Sequence, residues 1–527
     1  MARLLAACSL LGSLTFAGSL AAQTPAPVRF TIERFEVTGS NPLSPEQTTL
    51  ALSPYLGEHE GLAGLRSAAE ALQHEMAERG YVFHSVILPP QRLTAGVVTL
   101  EVVTAGIGAV RVIGNEHFSE QNIRASLPTL VEGTPPDTRE LARALRLANE
   151  HPVKALTVTF KESETSNAVD ATVRVQDERP WHYFAALSNT GSDETGDLRL
   201  SAAAQHTNLF DRDHALTVSY TTSPSKPDDV TQWAGFYSMP FYEWHSSLSL
   251  YYINSDVTIP NLPGFGGLFG TTGKGSFAGL RYAYHLPGRG AWSHKAGIGL
   301  DNKLFKSSLD SVGTQITRSD VRSVPISFSY SGKYESTELN GDYYVELATN
   351  TEFGSQNKQR FYTAADPRGA AEVGWSVLRL GGSLTRPFTE GMFTGWTGHL
   401  AMQMQMAKEP LIPGEQFGVG GATSVRGFDE REVVGDYGWR MSAEIYTPPI
   451  YYGVQLLGFL DSGWVKSKGP APGGPPSSEQ ITSVGVGARW QWHETVSAQV
   501  DLANVIDGSP LRRAGTKKVH FNLFVRY

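Results

Sequence analysis

Arg426 is the residue with the most chemistry to account for. It lies in a glycine-rich run from Gly418 to Glu432, inside Val425-Arg426-Gly427-Phe428. Glycine lets a backbone fold back tightly and approach other backbone closely. A guanidinium carried on such a loop needs a carboxylate wherever water cannot reach it, because a lone buried cation is very costly. That chemistry is ion pairing, and a solvated surface loop is the plain alternative. Groups that make and break bonds are sparse. The 14 histidines are scattered, with no G-x-S-x-G or H-E-x-x-H setting. No Walker loop is present. The expectation is a protein that is not an enzyme, with no catalytic residue, no metal and no cofactor.

Length and composition narrow the class. The 527 residues exceed one ordinary core, so two or more units are expected. The chain is 40% hydrophobic with a mean hydropathy of -0.22, which argues against helical membrane spans. A net charge of -8 gives no basic surface for nucleic acid. Arg3 followed by the apolar run Leu4 to Ala22 reads as a signal peptide over residues 1–22. Cys8, the single cysteine, falls inside it; its lipobox-like spelling follows too short an apolar region for a lipoprotein signal.

Two units of one grammar follow, over residues 28–104 and 105–178. In the first, Val28 to Asn41 alternates as a strand with one irregularity. Ser44, Pro45 and Gln47 form a capping box. Leu62, Leu65, Ala69, Leu72 and Met76 line a helix that Gly80 ends. Tyr81 to Pro89 and Gly96 to Val103 read as strands. In the second, Gly108 to Phe118 is a strand, Ser119 caps a helix carrying Ile123 and Leu127, and Asp137 with Glu140 forms a box for another. Ala155 to Glu162 and Ala168 to Asp177 complete it. Val37-Thr38-Gly39-Ser40-Asn41 matches Val112-Ile113-Gly114-Asn115, so the order is a twofold β-α-α-β-β repeat. A small sheet of this kind leaves an edge strand open to an extended partner; a mere spacer is the bland reading.

From Trp181 to Tyr527 period-2 alternation takes over. Sixteen runs centre near Ala186, Ala202, Thr217, Trp233, Leu250, Leu280, Gly297, Ser327, Val345, Leu378, Leu400, Ala443, Gly458, Gly485, Gln499 and Leu523. Short and long connections alternate, the longest over 407–436. An even strand number with short turns at one end and long loops at the other predicts a transmembrane barrel rather than a soluble sandwich. In the last run Val519, Phe521, Leu523, Val525 and Tyr527 share an apolar face, and His520, Asn522 and Arg526 the polar one, with Phe524 the exception. His206, His285, His399 and His520 read as lumen or interfacial residues. Phe459, Asp461 and Gly463 share one face of their run while Val454, Leu456 and Leu460 share the other. The apolar face belongs to lipid, so Asp461 points inward. The same alternation places Arg440 and Glu444 inside.

These features together resemble the superfamily of POTRA-bearing outer-membrane transporters and insertases. The β-α-α-β-β units with V-x-G-N resemble POTRA domains. Val425-Arg426-Gly427-Phe428 is similar to the superfamily's lumen-inserted sixth loop, and Phe459-Leu460-Asp461-Ser462-Gly463 to its F-x-D-x-G strand motif. The resemblance implies that Arg426 contacts Asp461. Two POTRA units, with Leu88-Pro89-Pro90-Gln91 in the first, favour the two-partner secretion transporters (TpsB, hemolysin secretion/activation type). Asn189, Gly191 and Gly196 resemble the start of that family's barrel, and the terminal aromatic Tyr527 resembles the signal read by barrel-insertion machinery.

The expected fold is therefore an all-β transmembrane barrel of sixteen antiparallel strands, residues 181–527, preceded by two small α+β POTRA domains. The resemblance implies an outer-membrane protein with periplasmic POTRA domains that exports an unfolded, β-helical partner exoprotein. Val82, His84, Val86, Leu88, Pro89, Pro90 and Gln91 are the candidate client-binding positions. Partners are that exoprotein, outer-membrane lipid and the insertion machinery. The alternative within the superfamily is an insertase for proteins or lipid; a passive porin would lack the POTRA units. Family members often carry a plug helix before the first POTRA, and Thr24-Pro25-Ala26-Pro27 leaves no room for one after the signal.

Overall fold

The computed structural model describes residues 29–92, 95–164, 168–259, 271–306, 310–311, 314–315, 320–469 and 478–527. The signal segment and the Thr24–Pro27 linker lie outside the described residues. The chain forms two units, the first ending at Ala105 and the second running from Gly106 to Tyr527.

The first unit contains β1 (Arg29–Ile32), β2 (Arg34–Gly39), α1 (Pro45–Leu52), β3 (Gly57–Glu60), α2 (Ala63–Glu78), β4 (His84–Ile87) and β5 (Val97–Thr104). Its main sheet has the order β2-β5-β4, while β1 pairs with β3 apart from it. The single strand expected from Val28 is broken at Glu33, whose N–H turns to the Gly96 carbonyl at 2.8 Å. Ser44 and Gln47 make the capping box in both directions. Leu65, Ala69, Leu72 and Met76 of α2 are buried with Val98, Leu100 and Val102. Leu62 instead caps α2 and is exposed.

The second unit opens with the same order: β6 (Ile107–Ile113), α3 (Glu120–Ser126), α4 (Thr138–Ala148), β7 (Lys154–Glu162) and β8 (Val169–Asp177), with β8 in the middle of its sheet. The repeated V-x-G has a steric cause. Gly39 and Gly114 have φ of +80° and +83°, and a Cβ on either would meet the Val102 or Val175 carbonyl at 2.2 or 2.6 Å. Only glycine fits both demands. The box expected at Asp137 is half made. Asp137 accepts from the Arg139 and Glu140 N–H groups at 2.9 and 3.1 Å. The Glu140 carboxylate turns away to His245 Nε2 at 2.8 Å.

The rest of the second unit is a closed antiparallel barrel. Strands 1 to 8 are Trp181–Ser188, Arg199–Leu209, His214–Thr222, Thr231–Phe241, Ser246–Ser255, Gly275–Arg289, Trp292–Phe305 and, interrupted at Val324, Val321–Ser323 with Pro325–Glu335. Strands 9 to 16 are Asn340–Asn350, Ser376–Pro387, Thr397–Ala407, Tyr437–Tyr446, Gln455–Lys466, Ser478–Trp492, Val496–Asp507 and Lys517–Arg526. All sixteen expected centres fall within them. Burial is inverted relative to a soluble core. Leu216, Val218, Leu300, Leu400, Leu456, Leu460 and Val519 are exposed around the outside, while Thr217, Ser219, Gln232, Asp301, Asp461 and His520 are buried within. That is the pattern of a sheet bathed in lipid outside and lined by polar groups inside.

Strand 16 closes on strand 1 through Asn522–Arg526 against Ser188–Phe184. The Asn189 side chain lengthens the seam by donating to the Val519 carbonyl (2.7 Å) and accepting from the Phe521 N–H (2.8 Å), as a strand neighbour would. The long connection after strand 9 contains α5 (Gln359–Ala365), which is not legible in the sequence.

Candidate functional site

The connection between strands 11 and 12 returns through a short hairpin, Phe417–Val419 paired with Val433–Gly435, and puts Arg426 between them. Arg426 is 4% exposed and Asp461 is fully buried. Its Nε donates to Asp461 Oδ2 at 2.7 Å and a terminal nitrogen to Oδ1 at 2.8 Å, a bidentate pair. The Arg426 backbone N–H adds a third contact at 3.1 Å. The same terminal nitrogen reaches Glu444 at 2.7 Å, and Ser442 donates to Asp461 at 2.6 Å. The guanidinium also stacks 3.5 Å from the Phe459 ring centroid, a cation–π contact worth about 0.5–2 kcal/mol. A cation that has lost its water is thus compensated on every side.

Glycines allow this approach. Gly427 has φ +96°, and a Cβ there would lie 3.2 Å from Ala503 and 3.3 Å from Val505. Its N–H donates to His520 Nε2 at 2.9 Å. A Cβ on Gly463 would meet Val419 at 2.4 Å and Val425 at 3.4 Å. The third residue of the F-x-D-x-G motif is therefore the floor on which the loop rests. Val425 and Phe428, both fully buried, pack with Val419, Val433, Val465, Ile481 and Val505.

The expected residues thus fall into groups. Val425, Arg426, Gly427, Phe428, Phe459, Asp461, Gly463 and Glu444 converge. Arg440 faces inward but bonds Gln403 at 2.7 and 3.0 Å, outside the Arg426 cluster. On strand 16, Val519 and Leu523 are exposed outside, and Phe524 stacks on Phe184 at 5.7 Å between ring centroids. Phe521 and Val525 are half-buried and Tyr527 is exposed.

The expected client positions are more dispersed. The strand expected over Tyr81 to Pro89 shortens to β4, so Val82 lies in the preceding turn and Leu88, Pro89 and Pro90 beyond its end. Val82 is exposed, Val86 and Leu88 pack on the core, and His84 is buried against Tyr81. The Gln91 amide is occupied by the backbone of β5, accepting from the Thr99 N–H and donating to its carbonyl, both at 2.7 Å. It caps the sheet where β4 has ended.

Further ties hold the long loop to the wall. Glu415 lies 3.2 Å from Lys303 of strand 7 and 3.5 Å from Arg379 of strand 10. Asp429 pairs with Lys518 and Arg512, and Glu432 with Arg512 at 3.2 Å. Lys303 and Arg379 occupy inward positions of their strands, and that alternation is the signal available for finding them.

A second buried cluster joins β7 and α3 to the first two short turns of the barrel. Lys154 and Asp213 both have fully buried side chains and form an ion pair at 2.5 Å. Asn122 donates to Asp213 at 2.9 Å, Ser126 donates to it at 3.1 Å, and Tyr242 donates to it as well. Burial pushes the Asp213 carboxyl up, but Lys154, His151 and Tyr242 more than reverse this and hold it below the usual range. The turn itself is strained: Phe210, Asp211 and Asp213 have φ of +61°, +55° and +58°. Around it His151 Nε2 meets the Thr207 carbonyl at 2.8 Å, and Arg143 donates to the His285 carbonyl at 2.6 Å.

Comparison with known proteins agrees with this geometry. Residues 168–490 match the family described as haemolysin secretion/activation protein ShlB/FhaC/HecB, and residues 30–105 match the ShlB-type POTRA domain. The chain is 23% identical over 458 residues to the outer membrane transporter CdiB of Escherichia coli O6:K15:H31, covering 83% of this chain and 73% of that protein. It is 20% identical over 191 residues to the heme/hemopexin transporter protein HuxB of Haemophilus influenzae, covering 36% and 34%. The solved structure of CdiB from Escherichia coli superposes with a TM-score of 0.76 at 18% identity, covering 97% of this chain and 93% of the other. That of CdiB from Acinetobacter baumannii gives 0.71 at 16%, covering 98% and 93%. The chain belongs to the ShlB/FhaC/HecB family: it is an outer-membrane β-barrel transporter with periplasmic POTRA domains, and it secretes a partner exoprotein.

Proposed function

We propose that the first POTRA domain captures the partner as an extended, unfolded chain, and that the partner then threads the barrel lumen past the loop held by Arg426. The protein works as a transporter and not as an enzyme. The observation that carries this reading is the Arg426–Asp461–Glu444 cluster, which fixes a long loop inside a lumen wide enough to need sixteen strands. At the periplasmic end, β4 lies at the margin of its sheet, paired only with β5, and this open side supports strand addition of a client. A β-helical exoprotein suits such capture, since its folding outside the cell supplies direction without nucleotide. Lipid at the apolar belt and the insertion machinery at the strand 16 terminus complete the partners.

The test is export by an Arg426→Ala variant. Removing one partner of a buried pair costs about 3–5 kcal/mol, so the loop is released. Export of the partner is expected to stop while the barrel stays in the outer membrane and keeps its heat-modifiable migration. Normal export by that variant would refute the role given to the loop.

A further inference from the structure

Arg368 ties three external connections together. Its Nε donates to Asp366 at 2.9 Å. One terminal nitrogen donates to Asp436 at 2.7 Å and to the Lys468 carbonyl at 3.0 Å; the other donates to the Leu411 carbonyl at 2.7 Å and to Asp436 at 3.3 Å. A guanidinium has five N–H donors, and all five are engaged. Asp436, fully buried, also accepts from the Leu411 N–H (2.8 Å), the Lys468 N–H (2.5 Å) and the Gln416 amide (3.1 Å). The node thus fastens the connection after strand 9 to the Arg426 loop and to the connection after strand 13.

Beneath the node lies the largest apolar filling of the lumen. Tyr362 of α5, Trp375, Leu411 and Ile412 are almost fully buried, in one cluster with inward-facing side chains of strands 4 to 11, among them Ile253, Phe277, Phe305 and Val377. Strands 4 and 11 stand nearly opposite each other in a sixteen-strand ring. The Arg426 loop tip packs in a separate cluster against strands 13 to 15. Tyr362 and Trp375 thus occupy the strand 4 to 11 side of the lumen near its outer end.

We propose that the connection after strand 9, with α5, is an outer gate, and that Arg368 is the positioning residue that latches it shut. The inference rests on the export function but not on the Arg426 lock. The latch is made of groups on external connections, so its three charges return to water when the gate lifts. The Arg426 cluster stays packed on the wall during this step.

The experiment measures conductance of the purified full-length protein in planar bilayers, which needs no client. For Arg368→Ala, open-state occupancy is expected to rise about tenfold or more, the shift produced by about 1.4 kcal/mol. Arg368→Lys keeps the charge but cannot bridge all three connections, so it is expected between the two. Heat-modifiable migration reports that each barrel is folded. A second pair of variants covers the case where Arg368→Ala does not insert. A Cβ at Gly469 would lie 3.0 Å from Ala370 Cβ, so a loop shift of about 0.5 Å brings the pair to the shortest disulfide spacing. Ala370→Cys/Gly469→Cys is expected to block export when oxidised and restore it on reduction. Gly469→Cys alone controls for the positive φ of that glycine. A folded Arg368→Ala barrel with wild-type conductance, or export through the oxidised cross-link, overturns the proposal. Export lost in Arg426→Ala without a change in conductance would concern the lock alone.

Discussion

Two buried ion-pair clusters hold this transporter together, and they are built differently. At the periplasmic rim the second POTRA domain is joined to the barrel around one dry site, flanked by the Glu140–His245 and Arg143–His285 contacts. Lys154 and Asp213 have no exposed side-chain surface, and Asn122, Ser126 and Tyr242 fill their remaining hydrogen bonds. In the lumen the long loop is held at many points. Glu415, Arg426 and Asp436 meet different parts of the wall or of neighbouring connections, and Asp429 and Glu432 share Arg512, with Lys518 also on Asp429. Several of those partners face the lumen; the Lys518 and Asp429 side chains are 20% and 47% exposed. A single dry cluster has no alternative partners to exchange with, and breaking it costs its full desolvation penalty. The set is mixed: Arg426–Asp461 and Asp436 are as dry as the joint, whereas the half-exposed Asp429 pairs can be released at small cost, so the loop can let go in steps. The contrast fits a fixed domain joint beside a loop built to move.

The sharpest way to break the comparison is Lys154→Met. It strands the Asp213 carboxylate without a cation, at a cost of about 3–5 kcal/mol. The strained turn at Phe210–Asp213 loses its clamp as well. The second POTRA domain should separate from the rim, and protease should cut readily near residues 178–181. The double variant Lys154→Met/Asp213→Asn removes both charges and should recover most of the protection. Equal protease sensitivity in wild type and Lys154→Met would show that the joint is not held at this point.

Sequence periodicity locates the barrel with little loss, because lipid outside and polar groups inside impose an alternation on every strand. Arg426 and Asp461 are legible for a related reason: glycines at 427 and 463 mark close approach, and the strand alternation shows which way Asp461 points. The joint is not legible. Lys154 opens an ordinary alternating strand, and Asp213 sits in a turn that reads as solvent-exposed. Only the fold brings residues 59 positions apart into one dry site. Helix α5 escapes for another reason. Its Tyr362 and Ala365 are buried by a lumen wall that local pattern cannot anticipate. Gln91 reads as part of the client edge, yet its amide completes the backbone bonding of β5.

Gly427→Ala tests the loop side with a smaller perturbation. A side chain at φ +96°, pressed against Ala503 and Val505, costs about 1–3 kcal/mol. Export should fall without vanishing, since Arg426 keeps its partners. Glu415→Gln should have a smaller effect still. Arg379 retains Glu346 at 2.8 Å and Gln405 at 3.0 Å, so only Lys303 loses its ionised partner. If Glu415→Gln halted export as completely as Arg426→Ala, the ties would be cooperative, and the loop would resemble the joint after all.

The smallest effect separates the two clusters by pH. In the joint, burial holds the His151 imidazole below its ordinary value; Asp213 and the Thr207 carbonyl oppose this, and Lys154 reinforces it. Its hydrogen bonds agree with a neutral ring, Nε2–H donating to Thr207 and Nδ1 accepting from the Val153 N–H. His245 is also held low by burial and by Arg143, against Glu140. A histidine with a depressed value leaves stability complete above about pH 6.5, its ordinary range, and drains it as the pH falls toward the lower value. Asp213 does not titrate in that window, because its own value is held below that of a free carboxyl. Acidification from pH 7.5 to 5.0 should therefore loosen the joint by only about 1 kcal/mol, less than a tenfold change in proton affinity carries. Protease release near residues 178–181 should rise modestly over that range. It should become shallower in the double variant His151→Gln/His245→Gln, and a joint as tight at pH 5.0 as at 7.5 would mean that neither ring is kept neutral by docking.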